Sequence, residues 1–161
     1  MIVIVMGVVG AGKTTIGRLL AQQLGWSFSD ADDYHAASSV EKIRNGIPLT
    51  DEDRTPWLQA LREAIVRWIA EGKNEVLACS ALKRAYRQML QAGPDVRFVY
   101  LEGTAVLIAE RLRSRRGHFA NEQILSSQLA DLEKPEGAVT VNISASPEEI
   151  VGKIRKALGL G

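Results

Sequence analysis

Lys13 and Thr14 close the run Gly7-Val8-Val9-Gly10-Ala11-Gly12-Lys13-Thr14, which matches G-x-x-x-x-G-K-[ST]. These residue types at this spacing suit the phosphates of a nucleoside triphosphate. The glycines let the backbone wrap close to phosphate oxygens, and N–H groups between Gly7 and Thr15, those of Val9 and Ala11 included, point inward at the positive end of a new helix. Lys13 is expected to reach the β- and γ-phosphates, and Thr14 to hold Mg²⁺ through its hydroxyl. Further on, Asp30 and Asp32 stand two residues apart in the run Asp30-Ala31-Asp32-Asp33-Tyr34-His35. One carboxylate of such a pair can hold Mg²⁺ through water while the other takes a proton from a substrate hydroxyl. Asp33 reads as solvent-facing. A third group, Arg111, Arg113, Arg115 and Arg116, supplies dense positive charge. Phosphoryl transfer uses such donors on the migrating group, inside a closed, water-poor cleft. Arg113 is the one read as merely solvated.

Strands and helices must bring these groups together. The apolar run Ile2–Met6 reads as a strand feeding the glycine-rich loop, and Ile16, Leu19, Leu20 and Leu24 follow at helical spacing, with Gly25 as the stop. That order identifies a P-loop. Further strands are expected at 26–29, 75–79, 96–101 and 139–143. Between them, helices are expected over 39–45, from Thr55 or Pro56 to Gly72, through Tyr86 and Leu90, from Thr104 into the arginine run, near 121–133, and after Ser146. The third helix has its apolar face at Leu58, Leu61, Ile65, Trp68 and Ile69. Ser146-Pro147-Glu148-Glu149 is a capping box with proline at the first helical position. Trp57 and Trp68 read as core packing, with a dimer surface as the alternative.

Five apolar strands separated by helices imply an α/β, three-layer P-loop fold: a five-stranded parallel sheet, helices on both faces, and a mobile basic lid. The lid is expected over about 111–128, within a single domain covering 1–161. Ligands of such sheets sit beyond the carboxyl ends of the strands, where the loop, the acidic run and Ser80–Lys83 all lie.

Composition narrows the class. The chain has 161 residues, one cysteine and a formal charge of +1, so nothing argues for a nucleic-acid or membrane-surface partner. A single thiol, Cys79, cannot form an intramolecular disulfide and suits a reducing cytoplasm. No basic leader precedes the first apolar run, and no stretch reaches the roughly 20 apolar residues of a membrane span. The cytoplasm is the expected location.

The loop specifies nucleotide but not reaction. No apolar run ends in the aspartate that motor and switch ATPases use for Mg²⁺, and no N-K-x-D guanine reader is present. What remains looks like a small-molecule kinase. Three wider segments then resemble one family: Asp30–His35 with Val40–Ile43 and Gly46–Leu49; Asp51-Glu-Asp-Arg-Thr-Pro-Trp-Leu58; and Cys79-Ser-Ala-Leu-Lys83 with Tyr86-Arg87. Together with Tyr100-Leu101, Arg111, Arg115–Phe119, and Gln128 before Leu132-Glu-Lys-Pro135, they resemble gluconokinases of the small P-loop, shikimate-kinase-like type. The resemblance covers most of the chain. One departure is Ala36-Ala-Ser-Ser39, where the family has an Arg- and Asn-containing loop.

The resemblance implies transfer of the γ-phosphate of ATP, with Mg²⁺, to the 6-hydroxyl of D-gluconate by a homodimer. Gluconate is a polyol with a carboxylate, so its site needs cations at one end and hydroxyl readers at the other. Arg54 and Lys83 are the chosen cations, with Arg87 in reserve, since a guanidinium pairs with a carboxylate through two bonds. Asp32 is then the candidate base and Asp30 the Mg²⁺ partner of Thr14. His35 and Gln128 are candidates for the polyol. His118, in the lid, would approach substrate on closure, while Lys13, Arg111 and Arg115 would act on the phosphates. The rivals are shikimate kinase on the same scaffold, an acceptor-independent NTPase, and a nucleotide-binding regulator without catalysis.

Overall fold

Strand β1 (Ile2–Met6) lies at the centre of the molecule because all five of its side chains are apolar and buried. Side chains alternate across a strand, so Val3 and Val5 enter one core while Ile2, Ile4 and Met6 enter another. The computed structural model describes residues 1–116 and 119–161, the side chains of 115, 116 and 119–121 excepted. Strands β2 (Ser27–Asp30), β3 (Glu75–Ala78), β4 (Val96–Glu102) and β5 (Val139–Asn142) join β1 in one parallel sheet. The order is β2-β3-β1-β4-β5. Asp30 and Val5 both register with Ala78, and Met6 with Tyr100, so the chemistry-bearing ends finish level along one edge.

Helices cover both faces, as parallel strands require. Helices α1 (Lys13–Leu24), α5 (Ala105–Arg116), α6 (Phe119–Asp131) and α7 (Pro147–Ala157) pack on the first core through Ile16, Leu20, Ile108, Leu112, Leu125 and Ile154. On the second core lie α3 (Asp51–Ala70) and α4 (Arg84–Leu90), through Leu58, Leu61, Ile65, Trp68 and Leu90. A 3-10 turn (Ala31–Tyr34) and α2 (Ala37–Arg44) lead from β2 to α3. Among the described residues no helix is long and apolar enough to cross a membrane.

Two expectations about α3 need correction. The helix starts at Asp51, a turn before Thr55, because Thr50 caps it: its hydroxyl accepts from the Asp53 N–H at 3.1 Å, while Asp53 Oδ2 accepts from the Thr50 N–H at 2.9 Å. Asp53 fills the place that Glu or Gln usually takes in a capping box. Ile69 lies half-exposed beside Gly93 instead of in the core, where Trp57 and Ala64 complete the face. The final helix forms as expected, with Pro147 first and the Ser146 hydroxyl accepting from the Glu149 N–H.

The cap and the core predict stability effects of different size. Thr50→Ala removes one N-cap and is expected to cost about 1 kcal/mol. Leu61→Ala, at a fully buried position, is expected to cost about 3 kcal/mol. Urea unfolding with unchanged slope checks both.

Candidate active site

The turn from β1 into α1 builds the first half of the site. Gly10 and Gly12 hold φ of 84° and 96°, the left-handed region in which side chains are strained. Gly12 is the N-cap of α1 and supplies no side chain to cap it, so first-turn N–H groups open onto the cleft at the positive end of the helix dipole. Lys13 folds back so that its Nζ donates to the Val8 carbonyl at 3.0 Å. Burial lowers its pKa, opposed by the charge of Asp32. The Val9 N–H, also in the loop, donates to Gln128 Oε1 of α6 at 2.7 Å.

The second half comes from the end of β2. Asp30 accepts from the Thr14 hydroxyl through Oδ2 and from the Asp32 N–H through Oδ1, both at 2.9 Å. That pairing fixes Asp30 beside the loop and leaves the Asp32 carboxylate open to the water of the cleft. The enclosing protein walls, and then the charge of Asp30, raise the pKa of Asp32. Among the described residues no three His, Cys, Asp or Glu side chains cluster as a metal cage. Thr14 and Asp30 instead offer one hydroxyl and one carboxylate, a set that fits Mg²⁺, which is commonly completed by water and nucleotide phosphates.

Across the cleft, His35 stacks on Trp57, ring centroids 4.3 Å apart and planes 15° from parallel. Trp57 is anchored by its indole N–H, which donates to the Ala31 carbonyl at 2.7 Å. Burial, and then the charge of Arg54, lower the His35 pKa to about 4. The imidazole is therefore neutral at pH 7, and its buried Nδ1 has no protein partner. One turn before Trp57 on α3, Arg54 is buried and donates from Nη1 to Tyr86 Oη and to Asp131 Oδ2, both at 3.0 Å. The Tyr86 hydroxyl in turn donates to Asp51, which also accepts from Lys83 Nζ at 2.9 Å. These two bonds depress the Asp51 pKa, the Tyr86 one more.

Loop residues 9, 10 and 12–15, Asp30, Asp32, His35, Arg54, Trp57 and Gln128 line one cleft of about 390 Å³, while Asp131, Tyr86, Asp51 and Lys83 stand behind that lining. Of the residues singled out from sequence, Val9, Gly10, Gly12, Lys13, Thr14, Thr15, Asp30, Asp32, His35, Arg54 and Gln128 meet there. Gly7 and Ala11 are buried within the loop and do not line the cleft. Lys83 points at Asp51, outside the lining. Arg87 is not brought to the cleft: its guanidinium donates to the carbonyls of Ala81, Leu82 and Glu133 and borders a separate cavity. Arg111 donates to the Ile143 carbonyl at 2.7 Å, and exposed Arg113 pairs with Glu122. The Arg115 side chain and His118 lie outside the described residues.

Trp57, read from sequence as core packing or a dimer surface, is buried and also lines the cleft, with Ile43, Pro48 and Leu49 as an apolar wall. Its spacing of three from Arg54 places the two on one helix face and could have revealed it. Cys79 lines the wall as an inert thiol, its pKa pushed up by burial to about 12.

A nucleotide-type loop facing an acidic pair and a buried cation in one cleft defines a P-loop small-molecule kinase. The shikimate kinase family profile matches residues 9–158. A probable gluconokinase of Xenopus tropicalis is 42% identical, the alignment covering 99% of this chain and 96% of that protein. Two solved structures superpose closely. A sugar kinase from Janibacter has a TM-score of 0.91 at 40% identity, and a gluconokinase from Sinorhizobium meliloti 0.84 at 39%; each match covers 98% of this chain and 94% of the other. The chain belongs to the gluconokinase family, a branch of the shikimate-kinase-like P-loop kinases.

His35 carries a pH signature. Its pKa is lower in the folded chain than the ordinary 6.5, so between that value and about 4 the unfolded chain binds more protons and stability falls as pH falls. NMR titration is expected to place the His35 imidazole near 4. Denaturant unfolding from pH 7 to 4.5 is expected to show a loss of stability that His35→Phe reduces.

Proposed function

We propose that this protein transfers the γ-phosphoryl group of ATP to the 6-hydroxyl of D-gluconate, giving 6-phosphogluconate and ADP. The observation that carries this reading is the shared cleft, lined together by Lys13, Thr14, Asp32 and Arg54. Full-length likeness to proteins named gluconokinase supports the acceptor.

In this reading the loop N–H groups and Lys13 hold the phosphates, and Arg111 and Arg115 come onto them from the lid at about 111–128. Thr14 and Asp30 hold Mg²⁺, which when bound neutralises phosphate charge and orients the γ-phosphoryl group. Asp32 takes the proton of the acceptor hydroxyl. Its raised pKa improves it as a base while the open carboxylate leaves room for the hydroxyl. Arg54 receives the sugar-acid carboxylate, since it lines the cleft and only its Nη1 is engaged by protein among the described residues. Neutral His35 offers a ring nitrogen to a polyol hydroxyl, Gln128 an amide and His118 an imidazole. Lys83 contributes positive charge from behind Asp51, and Arg87 acts from further off by fixing the 81–82 turn. The whole chain works as one domain, as a homodimer, in the cytoplasm.

An ADP-release assay with Mg-ATP, run against D-gluconate, shikimate, other sugar acids, neutral sugars and no acceptor, tests the reading. Turnover with gluconate alone is expected. Turnover with shikimate alone would transfer the site to the other branch, and turnover without acceptor would make the protein an ATPase. Asp32→Asn is expected to lower kcat by about 10²–10⁴ with little change in ATP affinity. A near-parental rate would remove Asp32 from the mechanism. Arg54→Ala is expected to act chiefly on the gluconate KM.

A further inference from the structure

Arg54 is a buried cation that shares its cavity with two carboxylates, Asp30 and Asp32. A charge so placed needs a partner, and the acidic pair lining the same cleft is one that the proposed chemistry must keep free. Asp51, the other carboxylate nearby, is taken by Lys83 and Tyr86. That leaves Asp131, whose Oδ2 accepts from Arg54 Nη1 at 3.0 Å. Among the described residues no acceptor meets Arg54 Nε or Nη2.

We infer that Asp131 is a positioning residue for the acceptor site: it ties one corner of the Arg54 guanidinium and leaves the rest of the fork for a carboxylate. The inference rests on the sugar-acid kinase reading given above. Asp131 is well placed for the task. It ends α6, and one turn earlier on the same helix Gln128 bonds the Val9 N–H of the loop. The platform from which Asp131 acts is therefore fixed against the nucleotide half of the site. A guanidinium held at a single corner keeps its plane, so the incoming carboxylate meets a preset fork instead of a swinging side chain. Without Asp131 the guanidinium keeps only the Tyr86 hydroxyl as a partner, its orientation loosens, and carboxylate binding suffers.

Asp131→Ala and Asp131→Asn test this in the full-length enzyme, with KM for gluconate, KM for ATP, kcat and melting temperature read for each. Loss of a charge-assisted bond is expected to raise the gluconate KM at least about tenfold in Asp131→Ala. The ATP KM is expected to stay within about twofold. Asp131→Asn keeps an oxygen that accepts from Nη1 and is expected to return the gluconate KM to within about threefold of the parent. A gluconate KM within about twofold of the parent in both variants would overturn the inference. So would equal rises in both KM values, which mark a loosened α6. The isosteric Asp131→Asn keeps the question open to measurement if Asp131→Ala fails to fold, since a gluconate KM above about threefold in a stable Asp131→Asn also counts against it. Failure of the parent to use gluconate is a separate result and strikes the function reading, not the Arg54–Asp131 tie, which calorimetric binding of sugar acids to parent and variants then reads.

Discussion

Gly10 has room for a hydrogen and nothing larger. A Cβ there would stand 2.8 Å from Leu112 Cγ and 3.1 Å from Ile108 Cγ2, and φ is already in the left-handed region. The turn from β1 into α1 is thus pressed from behind by α5 while its N–H groups face the cleft. That packing lets the loop hold an open anion-binding shape without help from side-chain caps. Because β1 is also the central strand, its position fixes where β2 and β3 end, and through them where Asp30 and Ser80 stand.

The cleft keeps opposite charges apart inside one small volume. Asp30 is tied to Thr14 and to the turn backbone, Asp32 is open, and Arg54 is tied to α4 and α6. Direct pairing of Arg54 with Asp32 would neutralise the proposed base and the proposed carboxylate receptor at once. The neutral His35 ring and the apolar side chains of Trp57, Leu49 and Ile43 line the same cleft and add no charge to it. Low polarity in the wall also strengthens each remaining electrostatic contact.

Much of this was legible in the sequence, because local rules govern it. The strand–loop–helix opening, the apolar face of α1 and the α7 cap follow from period and spacing within a few residues of one another. The start of α3 was missed because Asp53 replaces the usual capping partner and Pro56 suggested a later first turn. Strand order was beyond reach, since pairing joins segments far apart in the chain. The same holds for the Arg54–Asp131 pair, whose members are 77 positions apart. Arg87 illustrates the converse problem. Its charge is visible in the sequence, but one of the carbonyls that claim it, that of Glu133, is 46 positions away and becomes a neighbour only after folding.

The stacked His35–Trp57 pair has an optical consequence. An indole held rigid by its N–H bond to Ala31 and forming part of the cleft wall is a built-in fluorophore. Its emission depends on the ring beside it and on the water in front of it. A molecule entering the cleft changes the second, and protonation of the imidazole changes the first. Occupancy of the pocket can therefore be followed by the intrinsic light of the protein, without a label.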